Sequence, residues 1–397
     1  LVFHGPGYCL SPLLGAPLLA SFFREALKLI YVPVLRIAKE FKLESGGRLA
    51  ALDIAYETYG QLNAAGDNVI WICHALTGDH RPHEWWDGLV GTAKLLDPDR
   101  YFIICANMLG SCYGTTGPNS INPDTEQPYG KHFPLVTTRD MVRAHRLLAD
   151  HLRIARIQLI IGGSMGGQQT LEWAIEEPQR FDRVCVLATN AQHSAWGIAF
   201  NEAQRMAIEA DQERHAETDG GFRGLEAARA IAMLSYRNYE TYQSTQIDAE
   251  EKLDNFRASS YQRYQGNKLR KRFAVQSYVT LSKAMDAHNV GRGRGGLVAA
   301  LQHIQAPTLV VGVKSDMLFP PAEQVFLAEH IPEANFRLID SPYGHDGFLV
   351  EYEQMQRYLG SFLEGRLYQN RPKQTPRSTN YDRLQGRGPY LPGTESF

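Results

Sequence analysis

The 397-residue chain lacks a strong charge of either sign: 41 Lys and Arg against 43 Asp and Glu leave a formal charge of −2. That balance excludes the basic footprint by which nucleic-acid binders displace counterions from phosphates. Cysteine is scarce and odd in number (Cys9, Cys73, Cys105, Cys112, Cys185), with no C-x-x-C pair. Three of the five lie in apolar, strand-like runs, which suits buried free thiols better than a disulfide framework. A membrane-spanning helix needs ~20 uninterrupted apolar residues. The nearest approach is the charge-free stretch 1–23, and Pro6, Pro12, Gly15 and Pro17 break it. It also lacks the basic flank of a secretory leader. No repeat is visible, and 44% hydrophobic with 21% charged residues are ordinary globular values. A soluble, cytoplasmic protein with no nucleic-acid and no membrane partner is expected.

What is present is an alternation of strands and helices. Apolar β-rich runs fall at 52–59, 68–75, 101–109, 157–163, 184–189, 308–313 and 335–340. Several are apolar at consecutive positions, as in strands covered on both faces of a parallel sheet. Amphipathic helical patterns separate them at 138–152, 165–177, 322–331 and 348–363. From 192 to 303 only helical patterns occur. The fold class expected is α/β, with a mostly parallel central sheet, helices on both faces and a helical cap insertion. The predicted organisation is a poorly ordered extension at 1–40, a core at 41–191 and 304–365, a cap at 192–303, and a loose tail at 366–397.

Gly162-Gly163-Ser164-Met165-Gly166 is a G-x-S-x-G motif between a strand and a helix. Such a turn lifts a serine hydroxyl above the sheet, and only very small neighbours tolerate it. A hydroxyl becomes a useful nucleophile when a histidine takes its proton and a carboxylate fixes the histidine tautomer. In a sheet of this kind they follow in the order Ser, acid, His. Asp316 follows the run TLVVGV, and His345 follows NFRLID. A developing oxyanion needs backbone N–H donors, for which Met165 and Leu76 are the candidates. His74, beside Leu76, reads as a buried histidine bonded to backbone rather than a catalytic one.

The segments HALTGDH (74–80), NMLGSCYGTTGPNSI (107–121), GGSMGGQQTLEWA (162–174), HSAWGIAFNEAQRMAI (193–208), SYQRYQGNKLRKRF (260–273) and SPYGHDGFL (341–349) resemble those of the homoserine O-acetyltransferase family. So do 133–145 and 277–296, and the likeness runs from Phe41 to Leu363. The resemblance implies an α/β-hydrolase fold and methionine biosynthesis. It implies acylation of Ser164 by acetyl-CoA as co-substrate, with no bound cofactor, then transfer to L-homoserine. His345 would act as base and acid, and Asp316 would orient it. Arg229, Tyr236 and Asp346 would hold the acceptor. Arg229 and Tyr236, seven apart in a helical run, share one face. A homodimer through the cap is also implied. Ala274 and Asn289 depart from the family pattern, which has acidic residues there.

Other readings stay open: a succinyl donor, serine as acceptor, or a serine esterase in which water intercepts the acyl-enzyme. One methylene separates homoserine from serine, about 1–3 kcal/mol of discrimination. Two other motifs attract notice. Gly291–Gly296 satisfies G-x-G-x-x-G but follows a helical stretch, which argues against a dinucleotide site. Its Arg292 and Arg294 are candidates for contacting a coenzyme A phosphate. His80, His83 and Glu84 look metal-like, but Pro82 denies them the helical spacing of a zinc pair, so no metal site is expected.

Overall fold

The structure, a computed structural model, describes residues 32–214 and 220–366. Eight strands form one sheet: β1 (Val34–Ile37), β2 (Leu52–Tyr59), β3 (Val69–Cys73), β4 (Phe102–Ala106), β5 (Leu159–Gly163), β6 (Val184–Leu187), β7 (Thr308–Val313) and β8 (Ala334–Ile339). Their spatial order is β1-β2-β4-β3-β5-β6-β7-β8. The pairs β1/β2 and β2/β4 are antiparallel, and every later pair is parallel. Every residue of β3, β5, β6 and β7 is buried. This is why these strands read as unbroken apolar runs.

β1 corrects the expected boundary. Val34–Ile37 lies inside the segment assigned to a poorly ordered extension, yet it pairs with β2 from Val34↔Ala55 to Ile37↔Leu52. Only Leu35 of its four residues is buried, so an edge strand leaves almost no hydrophobic signature. The remaining residues of 1–31 and those from 367 onward lie outside the described residues.

α1 (Thr138–His151) starts in a capping box: Thr137 Oγ1 accepts from Asp140 N, and Asp140 Oδ2 accepts from Thr137 N. α2 (Met165–Glu176) runs directly from β5 and is buried along nearly its whole length. The cap comprises α3 (Ala195–Arg214), α4 (Phe222–Tyr236), α5 (Tyr239–Thr245), α6 (Arg257–Arg270) and α7 (Val275–Asp286). Its two ends meet where Gln192 bridges Asn289, His193 N donates to His288 O, and Val290 N donates to Ala191 O. The cap therefore closes near residue 289 rather than 303. α8 (Pro321–His330) follows β7. The expected helix at 348–363 breaks at Glu351 into Gly347–Val350 and α9 (Tyr352–Leu363).

Candidate active site

Ser164 occupies the turn between β5 and α2 with φ 56° and ψ −126°, a strained conformation for a residue with a side chain. The surroundings enforce it. Ser164 N donates to Leu187 O at 2.9 Å, and its carbonyl accepts from Thr189 Oγ1 at 2.8 Å. A Cβ at Gly166 would lie 2.1 Å from the Cys73 carbonyl oxygen, so only glycine lets α2 approach β3 this closely. Ser164 is 7% exposed.

Asp316 and His345 come from the loops after β7 and β8, and the two loops are laced by Ser315. Its hydroxyl donates to Ser341 O at 2.6 Å and accepts from Gly344 N at 2.9 Å. His345 Nδ1 lies 2.6 Å from Asp316 Oδ2. Asp316 Oδ1 accepts from Leu318 N and Phe319 N, each at 2.9 Å, so the carboxylate cannot rotate freely. The ring of His345 stacks on Phe319 and meets Phe348 edge-on. Burial disfavours the charged imidazolium, but the Asp316 charge and hydrogen bond outweigh it and raise the His345 pKa above 6.5. Phe348 also fills the space where a Gly163 Cβ would sit, 2.3 Å from its ring. The serine turn and the histidine loop thus pack on the same aromatic ring. Among the described residues Ser164 Oγ makes no hydrogen bond, and such bonds often tighten only with substrate bound.

Both oxyanion candidates are backbone N–H groups with no hydrogen-bond partner among the described residues, and Met165 N stands at the N-terminus of α2. The Leu76 loop is shaped by His74. Its Nδ1 donates to Ala75 O at 2.9 Å, and its Nε2 accepts from Met108 N at 3.2 Å. Burial lowers its pKa to about 4, which keeps the ring neutral in that tautomer. The reading of His74 as a backbone-bonded histidine holds.

Arg229 and Tyr236, both on α4, come together: the guanidinium carbon lies 5.1 Å from the phenol centroid. The Tyr236 ring is 5.8 Å from that of His345. Arg229 has no carboxylate partner among the described residues. Asp346 is not free, because Arg237 Nη2 holds its Oδ2 at 3.1 Å. Sequence reasoning missed Arg237, although it directly follows Tyr236. α5 tethers the cap to the histidine loop, as Thr241 Oγ1 donates to Pro342 O.

Other expectations are corrected or relocated. Arg292 is held by Glu44 through Nε and Nη2 at 3.0 Å each, and Arg294 reaches Glu172 at 2.5 Å and Glu176 at 3.4 Å. They lock the cap exit to the core and are not available to a coenzyme A phosphate. The helix Val275–Asp286 precedes this glycine-rich turn, as expected. His80 Nδ1 faces the Asn107 amide and His83 Nδ1 faces Tyr59 Oη, so the two histidines serve different neighbours. Asn289 Oδ1 accepts from Gly291 N, and Ala274 stands at the N-cap position of α7 with no side-chain cap. The sequence reading also passed over Glu323, which is 5% exposed and accepts from Asn190 Nδ2 at 3.0 Å. Burial, with the nearby Asp316 charge adding to it, raises its pKa to about 8. The four described cysteines are free, with Cys73, Cys105 and Cys185 buried; Cys9 lies outside the described residues.

A serine on a strained strand–helix turn, a histidine held by a buried carboxylate, and two unpaired amides define an alpha/beta hydrolase-fold enzyme built for acyl chemistry. A family model of that fold matches residues 68–352. More particularly, the chain belongs to the homoserine O-acetyltransferase family. It is 51% identical to the homoserine O-acetyltransferase of Cyclobacterium marinum over 81% of this chain and 92% of that protein. The corresponding protein of Trichormus variabilis is 45% identical, over 87% of this chain and 96% of its own length. The crystal structure of homoserine O-acetyltransferase from Bacillus anthracis superimposes with a TM-score of 0.75 at 26% identity, covering 84% and 97% of the two chains. The acetyl esterase MekB superimposes with a TM-score of 0.71, also at 26% identity, over 85% of this chain and 97% of its own.

Proposed function

We propose that the enzyme transfers the acetyl group of acetyl-CoA to the side-chain hydroxyl of L-homoserine in methionine biosynthesis, through an acyl-Ser164 intermediate. His345 Nε2 takes the Ser164 proton as Oγ attacks the thioester carbon, and the resulting oxyanion is met by Leu76 N–H and Met165 N–H. The thiolate of coenzyme A leaves with the proton from His345. The ring, neutral again, takes the proton of the homoserine hydroxyl. That oxygen attacks the acyl carbon, and Ser164 departs reprotonated. Asp316 fixes the ring with its proton on Nδ1 throughout and never needs to protonate itself.

The observation that carries the choice of acceptor is the pair of opposite charges flanking His345. Unpaired Arg229 over Tyr236 suits an acceptor carboxylate, and Asp346, whose Oδ2 is held by Arg237, keeps Oδ1 for its ammonium. The second reading, an ester hydrolase, is favoured by the likeness to MekB. Coenzyme A release from acetyl-CoA, with and without L-homoserine, separates the two. Strong acceleration by homoserine is expected, and equal release would establish the hydrolase. Ser164→Ala should abolish release; surviving turnover would remove Ser164 from the scheme. Succinyl-CoA and L-serine, run as alternative donor and acceptor, are expected to be poorer.

Association as a homodimer through the cap is part of this proposal. Large apolar side chains stand exposed along it: Met206, Phe222, Leu234, Tyr239, Phe256 and Tyr264. No helix among the described residues is long and apolar enough to cross a membrane. Four unpaired cysteines suit a reducing, cytoplasmic compartment.

A further inference from the structure

The cations expected to meet the donor's phosphates, Arg292 and Arg294, are engaged by carboxylates, which raises the question of where those phosphates dock. A second cationic run, Lys268-Leu-Arg-Lys-Arg272, ends α6 and continues past it. Arg270 is paired with Glu226 of α4 at 2.9 Å. Lys268, Lys271 and Arg272 are exposed and have no carboxylate partner among the described residues. Lysines in a last helical turn ordinarily complement the helix dipole, and alone they would signify nothing more. Arg272 lies beyond the helix, however, and its reach is specific. Its Nη1 donates to Thr77 O at 2.6 Å and to Tyr113 Oη at 2.8 Å, and Nη2 faces Thr77 Oγ1 at 3.4 Å. Thr77 directly follows Leu76, so the cap lays this guanidinium against the oxyanion loop. Two of its five N–H donors, Nε–H and one on Nη2, remain unused.

We infer that Lys268, Lys271 and Arg272 form the rim that docks the phosphate groups of the acyl donor. The inference rests on acetyl-CoA being that donor. Its long pantetheine arm separates the thioester from the phosphates, so with the thioester at Ser164 the phosphates must lie outside the pocket. Arg272, bonded to Thr77 beside Leu76, sets this cationic run next to the oxyanion loop. Arg272 then has two roles: it offers N–H donors to the donor molecule, and it steadies the loop that carries the Leu76 amide.

The test compares acetyl-CoA with S-acetylpantetheine, which carries the same thioester and arm without phosphates, at saturating L-homoserine. In Lys268→Gln/Lys271→Gln, which leaves the Arg272 contact with the oxyanion loop in place, the KM for acetyl-CoA is expected to rise about fivefold, two partly exposed charge contacts being removed. The KM for S-acetylpantetheine should move less than about twofold, a split that a merely structural role would not give. Equal rises for both thioesters, or no rise for either, would overturn the inference. Should the double variant not fold, a salt series on the wild-type protein decides instead. Added KCl should raise the KM for acetyl-CoA and spare that for S-acetylpantetheine; parallel responses would overturn the inference. If the wild-type protein uses neither thioester, the donor reading fails. If it uses acetyl-CoA and the two KM values move together, only the rim fails.

Discussion

Replacing Asp316 by Asn tests the centre of the site with almost no change in shape. The amide must keep an oxygen toward Leu318 N and Phe319 N, which both donate to Oδ1 at 2.9 Å. Its NH2 group then faces His345 Nδ1, where the carboxylate Oδ2 now sits at 2.6 Å. A donor there obliges Nδ1 to accept, which moves the ring proton to Nε2 and leaves nothing to receive the Ser164 proton. The expected loss in kcat is about 10⁴-fold, the size typical of a wrong tautomer with intact geometry. The protein also contains its own reference for the pKa. Buried His74, His145 and His193 are driven by desolvation to about 4, and His288 to about 3, and none is hydrogen-bonded to a carboxylate. His345 is just as buried, yet Asp316 raises it above 6.5. In the wild-type enzyme the rate of coenzyme A release should therefore rise with pH through a midpoint above 6.5, because only the neutral ring accepts a proton. In Asp316→Asn the acid limb of the residual rate should shift to lower pH, because burial then acts without the Asp316 charge and hydrogen bond to offset it. The stability linked to this pair has the matching sign: it is fully present below 6.5 and is lost as pH rises through the folded-state pKa. Activity within tenfold of wild type, or an acid limb that stays above 6.5 in the variant, would refute the reasoning.

Three further outcomes are expected. Gly166→Ala should destabilise the fold by about 3 kcal/mol or more in urea titration, because its Cβ would meet the Cys73 carbonyl oxygen, a backbone atom that cannot swing aside; a near-neutral result would contradict the close approach of α2 to β3. Glu323→Gln should raise the melting temperature above that of wild type by a margin that grows between pH 5 and 8. The carboxyl is raised from 4.5 to about 8, so its stabilising contribution is present below 4.5 and declines by up to about 1.4 kcal/mol per pH unit as pH climbs to 8. A constant offset across that window would show that Glu323 ionises normally. Arg229→Met should raise the KM for L-homoserine about 10- to 100-fold, the value of a charge-assisted hydrogen-bond pair, with a small effect on acylation by the donor alone; an unchanged KM would place the acceptor carboxylate elsewhere.

The alternation of buried strands with helices, the glycine-flanked serine and the order Ser164, Asp316, His345 are all legible along the chain. Each depends on neighbours within a few residues: five consecutive buried positions make β3 readable, and four glycines around one serine make the turn readable. β1 was illegible for the complementary reason, since a four-residue edge strand with a single buried side chain has no periodicity to detect. The histidine environment could be read only in part. A hydrogen-bonding His and Asp are expected from their order, whereas Phe319 and Phe348 enclosing the ring are not.

What the sequence determined by itself, then, is the chemistry of the site and the layered sheet that carries it, because backbone preference and side-chain period act over short stretches. Only the tertiary structure decided which charges are spoken for. Arg292 and Glu44 stand 248 residues apart in the chain, and Arg272 and Thr77 stand 195 apart. An arginine next to glycines and an arginine at a helix end look alike as letters. Whether each meets a carboxylate or stays free for a ligand depends on Coulomb forces, which act through space and carry no local sequence pattern.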